Sequence, residues 1–304
     1  MRIPRSWRVD DSKPSLDESA RTTPTNHSKE PAMVVSEVMT PHPTCIAPDT
    51  SLRDALSVMD DNDFRHLPVM SGGQLVGLVS ERDLLEALGW MGGDVADEDV
   101  LADERPTRVG DVMSRMPSVA KPGVPIGSAV AEMVARRIGC LPIVDAEGNQ
   151  ELVGILTERD IALAYVEHVS NGTLSPGSDP TAGDVISKVL ICAAPDTSVQ
   201  DACASCHAAG VRHLPVVTNG ELVGVVSDRD LRAAARAGTH DTLHLSDLMA
   251  REVETVDVDE RLSSAAQRMA DLAVSALPAL DGGRLVGILT FTDLLKHVGK
   301  VMPR

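Results

Sequence analysis

The stretch LVGLVSERDLL, residues 75–85, decides the fold because the chain repeats it three more times with small changes. The other copies read LVGILTERDIA, LVGVVSDRDLR and LVGILTFTDLL, at residues 152–162, 222–232 and 285–295. In each copy a Ser or Thr follows an apolar run, and an Asp stands three positions after it. Because internal repetition outranks local propensity as evidence of architecture, the sequence predicts four copies of one small unit.

Each copy of the motif ends a longer pattern with the same order of elements. Directly upstream lie the apolar runs RHLPVM, GCLPIV, RHLPVV and SALPAL, followed by turns such as SGGQ and TNGE. Two apolar runs around such a turn are typical of a β-hairpin. Further upstream, Leu52, Ala55, Leu56 and Met59 have the spacing of a helix packed on a sheet. Each unit is therefore predicted as short helix, strand, helix, strand, turn, strand and helix.

The units are expected to work in pairs. A unit of about 55 residues is marginal alone because small domains bury too little surface, so two units should stack. Units one and three share the strings PDTS and RHLPV, which favours a two-unit module that was duplicated whole. An acidic stretch at 92–108 is interpreted as a solvated connection. The predicted boundaries are a disordered tail at 1–32, repeat one at 33–90, repeat two at 109–170, a flexible linker at 171–181, repeat three at 182–238 and repeat four at 245–300.

Composition and charge exclude several classes of protein. The 304 residues carry a formal net charge of −17, which makes the chain a poor general binder of nucleic acid or of an anionic membrane surface. The sequence contains no apolar run near the roughly 18 residues that span a bilayer. The first 31 residues lack the hydrophobic stretch of a secretory signal. Five cysteines, an odd number, then indicate reduced thiols and a cytoplasmic setting.

The repeated motif places polar groups where a strand gives way to a helix. In the first copy, Ser80 stands at the end of the strand and Asp83 falls in the first turn of the helix. Unpaired N–H groups and the positive end of the helix dipole make such a point a seat for phosphate. A carboxylate nearby can accept from the hydroxyls of a ribose. The same pattern is also a capping box, in which both side chains serve the helix itself, and the motif alone leaves these two interpretations open.

The order of motifs, DVM, PDTSLRDAL, RHLPV and LVGLVSERDL, resembles that of cystathionine-β-synthase-type (CBS) domains over roughly residues 36–299. This resemblance implies an α/β (α+β) fold of four CBS repeats, each a short three-stranded sheet with flanking helices, paired into two Bateman modules. It also implies clefts that bind AMP, ADP, ATP or S-adenosylmethionine. The implied nucleotide-binding residues are the hydroxyls Ser80, Thr157, Ser227 and Thr290, the ribose acids Asp83, Asp160, Asp230 and Asp293, and the phosphate-contacting Arg65, His66, Arg212 and His213.

Two repeats depart from the family's pattern. Where repeats one and three have their Arg-His pairs, repeat two has Gly139 and Cys140, and repeat four has Ser275 and Ala276. Repeat four also lacks the arginine that the other three motifs carry between hydroxyl and acid. If the phosphates are bound at these positions, each module has one basic patch. The alternative for the arginines inside the motifs, Arg82, Arg159 and Arg229, is simple exposure on a helix surface.

The string CASCH, residues 203–207, matches the pattern for covalent haem attachment, but a structural interpretation is favoured. Cys203 and Cys206 align with Leu56 and Met59 on the apolar face of the first long helix, and free cysteine behaves as a small buried hydrophobe. A zinc site would lack a fourth ligand. Cys45 and Cys192, at equivalent places in the first predicted strand, are also expected in the core.

The leading hypothesis is a soluble sensor that binds an adenosine nucleotide and passes a conformational change to a separate, unknown effector protein. No catalytic set, metal site or covalent cofactor is predicted, since the sequence contains neither a nucleophile elbow nor a Walker loop. The second hypothesis is a scaffold whose clefts stay empty and whose motifs are only helix caps. For the assembly, a disc of two modules within one chain is slightly favoured over a homodimer.

Overall fold

In a computed structural model of the chain, residues 33–88, 106–145, 151–175, 177–236 and 242–302 are described. The predicted tail at 1–32, most of the acidic stretch at 92–108 and the turn of repeat two at 146–150 lie outside these residues. Within the described ranges, no helix has both the length and the hydropathy needed to cross a bilayer.

The predicted order of elements is present in the first half of the chain. Both repeats open with a single helical turn, continue through an 11-residue amphipathic helix and close with a hairpin and a helix. Repeat one contains α1 (Val35–Val38), β1 (Thr40–Pro41), α2 (Leu52–Asn62), β2 (His66–Ser71), β3 (Gln74–Ser80) and α3 (Glu81–Ala87). Repeat two contains α4 (Val109–Val112), α5 (Ile126–Arg136), β4 (Cys140–Val144), β5 (Leu152–Thr157) and α6 (Glu158–Ser170).

The second half repeats this order. Repeat three opens with a 3₁₀ turn at Ala182–Asp184 instead of an α-helical turn. It continues with α7 (Val199–Ala209), β6 (His213–Thr218), β7 (Glu221–Ser227) and α8 (Asp228–Arg236). Repeat four contains α9 (Leu245–Leu248), β8 (Val256–Asp257), α10 (Leu262–Asp271), β9 (Ala276–Asp281), β10 (Arg284–Thr290) and α11 (Phe291–Val301).

The first predicted strand of each repeat is a full strand only in repeat four. There β8 pairs in parallel with β9, and the Val258 N–H extends the ladder to the Leu280 carbonyl at 3.0 Å. In repeats one to three the same stretch makes a single parallel bridge, such as that from Ile46 to Val69. The residue that corresponds to Val258 is proline in those repeats, and proline has no N–H to donate. The described sheets are therefore short, with β1-β5-β4 and β10-β9-β8 three-stranded and β2-β3 and β6-β7 two-stranded.

The two repeats of a module exchange their opening segments, which confirms the predicted pairing of one with two and three with four. Thr40 of repeat one pairs with Ile155 of repeat two, and Ser114 of repeat two forms a bridge to Leu78 of repeat one. The glycine of each repeated motif makes this crossing possible. A Cβ at Gly77 would lie 2.5 Å from the Met113 sulfur. The other three crossings have the same form, with Met39 over Gly154, Ile186 over Gly287 and Met249 over Gly224.

The largest apolar core joins the two modules. It combines side chains of α5 and α6 in repeat two with those of α10 and α11 in repeat four. Gly299 of α11 lets α5 approach closely, since a Cβ there would lie 3.3 Å from Val130 Cγ1. Repeats one and three have separate, smaller cores. The two modules therefore pack together within one chain, and the apolar contact between them lies at repeats two and four.

The predicted linker at 171–181 contacts this interface through residues 178 and 179. The Tyr165 hydroxyl of α6 lies within hydrogen-bond distance of two acceptors, the Ser178 carbonyl at 2.9 Å and Asp179 Oδ1 at 3.1 Å. Asp179 in turn accepts from the backbone N–H and the hydroxyl of Ser263, at the start of α10. His297 of α11 also contacts the Ser178 carbonyl, at 2.8 Å. Residues of both modules thus hold the linker in place.

The cysteines divide into two groups. Cys206 is buried and Cys203 half-buried on α7, as the structural interpretation of CASCH predicts. Cys45 and Cys192 are exposed, so the prediction that they lie in the core is wrong. Each precedes a residue that bridges to the sheet, and neighbouring residues of an extended chain point to opposite sides.

Candidate functional site

Each repeated motif caps the helix that follows it. In repeat one, Ser80 Oγ accepts from the Asp83 N–H at 3.2 Å, and Asp83 Oδ2 accepts from the Ser80 N–H and hydroxyl at 2.9 and 2.7 Å. The same reciprocal bonds join Thr157 with Asp160, Ser227 with Asp230, and Thr290 with Asp293. The capping role is therefore present in all four repeats. It uses one carboxylate oxygen, Oδ2, and leaves Oδ1 for another partner.

The second carboxylate oxygen distinguishes the repeats. Asp160 Oδ1 accepts from the Thr40 hydroxyl at 3.2 Å. Asp293 is buried, and its Oδ1 lies 3.6 Å from Lys296 Nζ. Among the described residues, no hydrogen bond or ion pair reaches Oδ1 of Asp83 or Asp230. In repeats one and three, Oδ1 of the motif aspartate is thus available to a ligand. In repeats two and four, the same oxygen already contacts a protein side chain.

A cavity of about 600 Å³ lies where all four repeats meet. We call it the central cavity. Its size is within the range of small-molecule sites in proteins. The motif residues that line it come from repeats one and three, whereas Thr157, Asp160, Thr290 and Asp293 are not part of its wall. The predicted site residues that the structure brings together here are Arg65, His66, Ser80, Asp83, Arg212, His213, Ser227 and Asp230.

Two arginines in this wall, Arg65 and Arg212, form no hydrogen bond or ion pair within the described ranges. Arg65 precedes β2 and Arg212 precedes β6. Burial lowers the pKa of Arg65, and the neighbouring charges of Arg229 and Arg212 lower it further. The carboxylates of Glu81 and Glu158 oppose this lowering. Guanidinium groups close enough to repel one another favour an anion between them.

The two histidines beside these arginines are neutral at physiological pH. Burial and the charges of Arg212 and Arg65 lower the pKa of His66 to about 4, against an opposing effect of Asp83. Burial, Arg65 and Arg212 likewise lower the pKa of His213 to about 4. A neutral imidazole can donate one hydrogen bond and accept one, and a nearby phosphate would favour its protonated form.

The two departures from the family pattern face these histidines. A Cβ at Gly139 would lie 3.3 Å from His66 Cε1, so the glycine of repeat two makes room for the ring. In the other module, Ser275 Oγ lies 3.0 Å from His213 Nε2, within hydrogen-bond distance. Each module thus places the histidine of one repeat against the small residue of its partner repeat. The absence of an arginine side chain at Gly139 in repeat two therefore has a steric reason.

The wall of the central cavity contains four arginines that the sequence analysis did not assign to the site: Arg82, Arg137, Arg229 and Arg232. Arg229 of repeat three donates to Asp63 Oδ1 at 2.6 Å and to Glu81 Oε1 at 3.3 Å, both in repeat one. Surface exposure, the alternative for motif arginines, holds for Arg82 and Arg159 but not for Arg229. Arg232 is only 6 % exposed and pairs with Asp228. A signal for Arg232 was available, because the other motifs have Leu85, Ala162 and Leu295 at its position.

Comparison with known proteins matches this chain to one family of domains, four times along its length. The model of the CBS domain matches residues 35–89, 109–167, 182–237 and 245–300. The uncharacterised protein MJ1225 of Methanocaldococcus jannaschii is 27 % identical over 83 % of this chain and 94 % of its own. The crystal structure of MJ1225, described as a candidate archaeal homologue of g-AMPK, superposes with a TM-score of 0.72 at 24 % identity, covering 87 % of this chain and 99 % of that one.

Two other matches differ in extent. The crystal structure of an uncharacterised conserved protein from Pyrococcus horikoshii has a TM-score of 0.63 at 22 % identity and covers 88 % of this chain and 100 % of that chain. An inosine-5′-monophosphate dehydrogenase of Nitrosopumilus maritimus is 37 % identical, but over only 41 % of this chain and 22 % of the enzyme. The two solved structures thus resemble this chain over most of its length. The enzyme resembles it over less than half of this chain and less than a quarter of the enzyme.

Proposed function

We propose, since the chain belongs to the CBS domain family, that its central cavity binds adenosine nucleotides and that it acts as a regulatory sensor. The observation that carries this proposal is the composition of the cavity wall. It combines two ribose-type acids, two neutral histidines and two arginines that have no hydrogen bond or ion pair among the described residues, within a volume of about 600 Å³. This combination matches the parts of a nucleotide better than those of a neutral metabolite.

The cavity would hold nucleotides at two positions. Asp83 would bind the ribose at one position and Asp230 the ribose at the other. Both acids are fixed by their caps, so little side-chain entropy is lost when Oδ1 accepts from a ribose hydroxyl. Ser80 and Ser227 stand at helix N-termini beside them, where backbone N–H groups favour an anion. The phosphate would then extend toward Arg65 and Arg212.

The acids of repeats two and four have a structural role in this proposal. Asp160 and Asp293 keep their caps, but their second oxygens already have protein partners. Thr157 and Thr290 serve the same caps. Of the twelve residues that the family resemblance implies, we therefore assign nucleotide contact to the eight in the central cavity and helix capping to these four.

The sensor would report its ligand through the arrangement of the modules. Repeats two and four share an apolar core, whereas repeats one and three are connected by the polar contacts of Arg229. A ligand between repeats one and three could therefore shift their relative position while the apolar interface persists. If the modules have two arrangements, the ligand can shift the equilibrium between them only as far as it binds one arrangement more tightly than the other.

A thermal-shift screen tests the proposal against the scaffold hypothesis. AMP, ADP, ATP, S-adenosylmethionine and adenosine are each added at concentrations up to the millimolar range. A ligand present at 100 times its dissociation constant stabilises the protein by about 2.7 kcal/mol, which raises the melting temperature measurably. A chain that none of these compounds stabilises would be a scaffold whose motifs are helix caps.

A further inference from the structure

The contact between repeats one and three leaves buried guanidinium nitrogens without partners. Arg229 uses Nη1 for Asp63 and Nε for Glu81, and its Nη2 is buried with no hydrogen bond among the described residues. Burial alone would lower the pKa of Arg229, but its bonds to the two carboxylates raise it. The carboxylates thus fix a charged donor whose third nitrogen faces no protein acceptor.

Arg232 adds a second donor of the same kind in the same wall. Its side chain is 93 % buried, its Nη2 pairs with Asp228, and its Nε is buried with no partner among the described residues. Both Arg229 and Arg232 line the central cavity. A buried donor without an acceptor destabilises the folded state, and more strongly when it is charged. Two such donors in one wall therefore indicate that an acceptor outside the protein completes them.

The equivalent positions of the other repeats do not provide this pair. Repeat one has Arg82 and Leu85, repeat two has Arg159 and Ala162, and repeat four has Thr292 and Leu295. Both arginines occur together only in repeat three. A buried arginine at a position that is apolar in the other three repeats is not required by the fold.

We propose that Arg229 and Arg232 form an anion subsite that takes the terminal phosphates of a nucleoside di- or triphosphate. This inference rests on the proposed function for the position of the nucleoside, but not for the binding of the anion itself. Arg65 and Arg212 contact the phosphate nearest the ribose, and the pair from repeat three contacts those beyond it. The guanidinium group suits this role because its planar set of donors matches the oxygens of a phosphate.

Asp63 and Glu81 are positioning residues for the subsite. They belong to repeat one but orient an arginine of repeat three, so the subsite is complete only when the two modules are in contact. By linkage, a polyphosphate bound there must strengthen the contact between repeats one and three as much as that contact strengthens its binding. The subsite would therefore couple the number of phosphates on the ligand to the arrangement of the modules.

The test compares affinities for adenosine, AMP, ADP and ATP by calorimetry in four proteins. These are the native chain, Arg232→Leu, Arg229→Thr and the control Arg159→Thr. Leucine is the residue of repeats one and four at the first position, and threonine that of repeat four at the second. Arg159 is exposed and outside the cavity wall. We expect both cavity variants to bind ATP at least tenfold more weakly, AMP within threefold of the native value, and the control to change nothing.

Tripolyphosphate without a nucleoside separates this inference from the proposed function. If the native chain binds tripolyphosphate and both cavity variants do not, the subsite stands even when no adenosine compound binds. Equal weakening of AMP and ATP, or no change in either variant, would overturn the subsite while leaving nucleotide binding intact. Melting temperatures identify a variant that fails to fold, and the other variant then decides the result.

Discussion

The Thr40 hydroxyl donates to Asp160 Oδ1 at 3.2 Å, although the two residues belong to different repeats. The contact exists because repeat one sends its opening segment across the sheet of repeat two. Burial raises the pKa of Asp160, and the hydrogen bonds from Thr157 and Thr40 oppose that rise. Asp160, the motif acid of repeat two, therefore stabilises the module itself through Thr157 and Thr40. In repeat three the equivalent acid, Asp230, is exposed at the central cavity.

The substitution Asp160→Ala should mainly reduce stability, whereas Asp230→Ala should mainly reduce nucleotide affinity. Asp160→Ala removes a cap and the contact with Thr40, so we expect a loss of about 1–2 kcal/mol in the free energy of unfolding with unchanged AMP affinity. Asp230→Ala removes a ribose acceptor, so AMP should bind more weakly by roughly 1.5–3 kcal/mol, with a smaller loss of stability. Urea unfolding and calorimetry measure the two quantities. A loss of AMP affinity in Asp160→Ala would contradict the structural role assigned to that acid.

The substitution Gly77→Ala should destabilise the first module. The added Cβ would lie 2.5 Å from the Met113 sulfur, so the exchanged segment of repeat two would be displaced. Overpacking of this kind costs about 1–3 kcal/mol, which would appear in urea unfolding. Gly123→Ala is the control, because a Cβ there has no atom within 4 Å. Combining Gly77→Ala with Met113→Ala should cost less than the sum of the two single changes, and strict additivity would argue against the contact.

The histidines of the central cavity should make stability depend on pH between about 6.5 and 4. An unfolded histidine takes up a proton near pH 6.5, whereas the pKa of His66 and that of His213 are about 4 in the folded chain. Between these values the unfolded state binds more protons, so stability falls as the pH falls. The pKa of Glu158 is raised by burial, and its contribution has the opposite sign.

This pH dependence can be assigned by substitution. The double change His66→Gln and His213→Gln should reduce the loss of stability between pH 6.5 and 4, as measured by urea midpoints at several pH values. His207→Gln is the control, since His207 is exposed on α7. An identical pH slope in the native chain and the double variant would contradict the neutral state assigned to the buried rings.

The substitution Tyr165→Phe should weaken the attachment of the linker to both modules. It removes one hydroxyl from the Ser178 carbonyl and Asp179 Oδ1, which keep their contacts with His297 and the Ser263 N–H. The loss of one hydrogen bond whose acceptors keep other partners costs about 0.5–1.5 kcal/mol. We expect a loss of that size in urea unfolding and faster proteolysis near residues 171–181. Thr173→Val, which removes an exposed hydroxyl from the same linker, is the control and should change neither.

The local part of the fold could be predicted from the repeats, whereas the site could be predicted only in part. Strands, helices and caps follow from apolar spacing and from residues three positions apart, such as Ser80 and Asp83. The proline that reduces a strand to one bridge is also visible in the sequence, but its effect on the strand was not inferred. The sequence does not show that the motif acids of repeats one and three differ from those of repeats two and four. The difference depends on Thr40 and Lys296, which reach the acids only in the folded chain.

The individual contacts between the modules could not be predicted from the sequence, because they too join residues that are far apart in the chain. Arg229 meets Asp63 across 166 positions of sequence, and the motif arginines look alike in three repeats. The apolar core between repeats two and four depends on close approach of helices, as at Gly299 and Val130. A single arginine in an apolar position, Arg232, was the one local signal for the missed part of the site.

Calorimetric titration of the native chain with AMP, beside the double variant Asp83→Ala and Asp230→Ala, tests the central claim most directly. The account predicts saturable binding to no more than two positions per chain in the native protein. It also predicts loss of that binding in the double variant, while Asp160→Ala keeps the native stoichiometry. Absence of AMP binding at millimolar concentration, or undiminished binding in the double variant, would contradict the assignment of the central cavity as the nucleotide site.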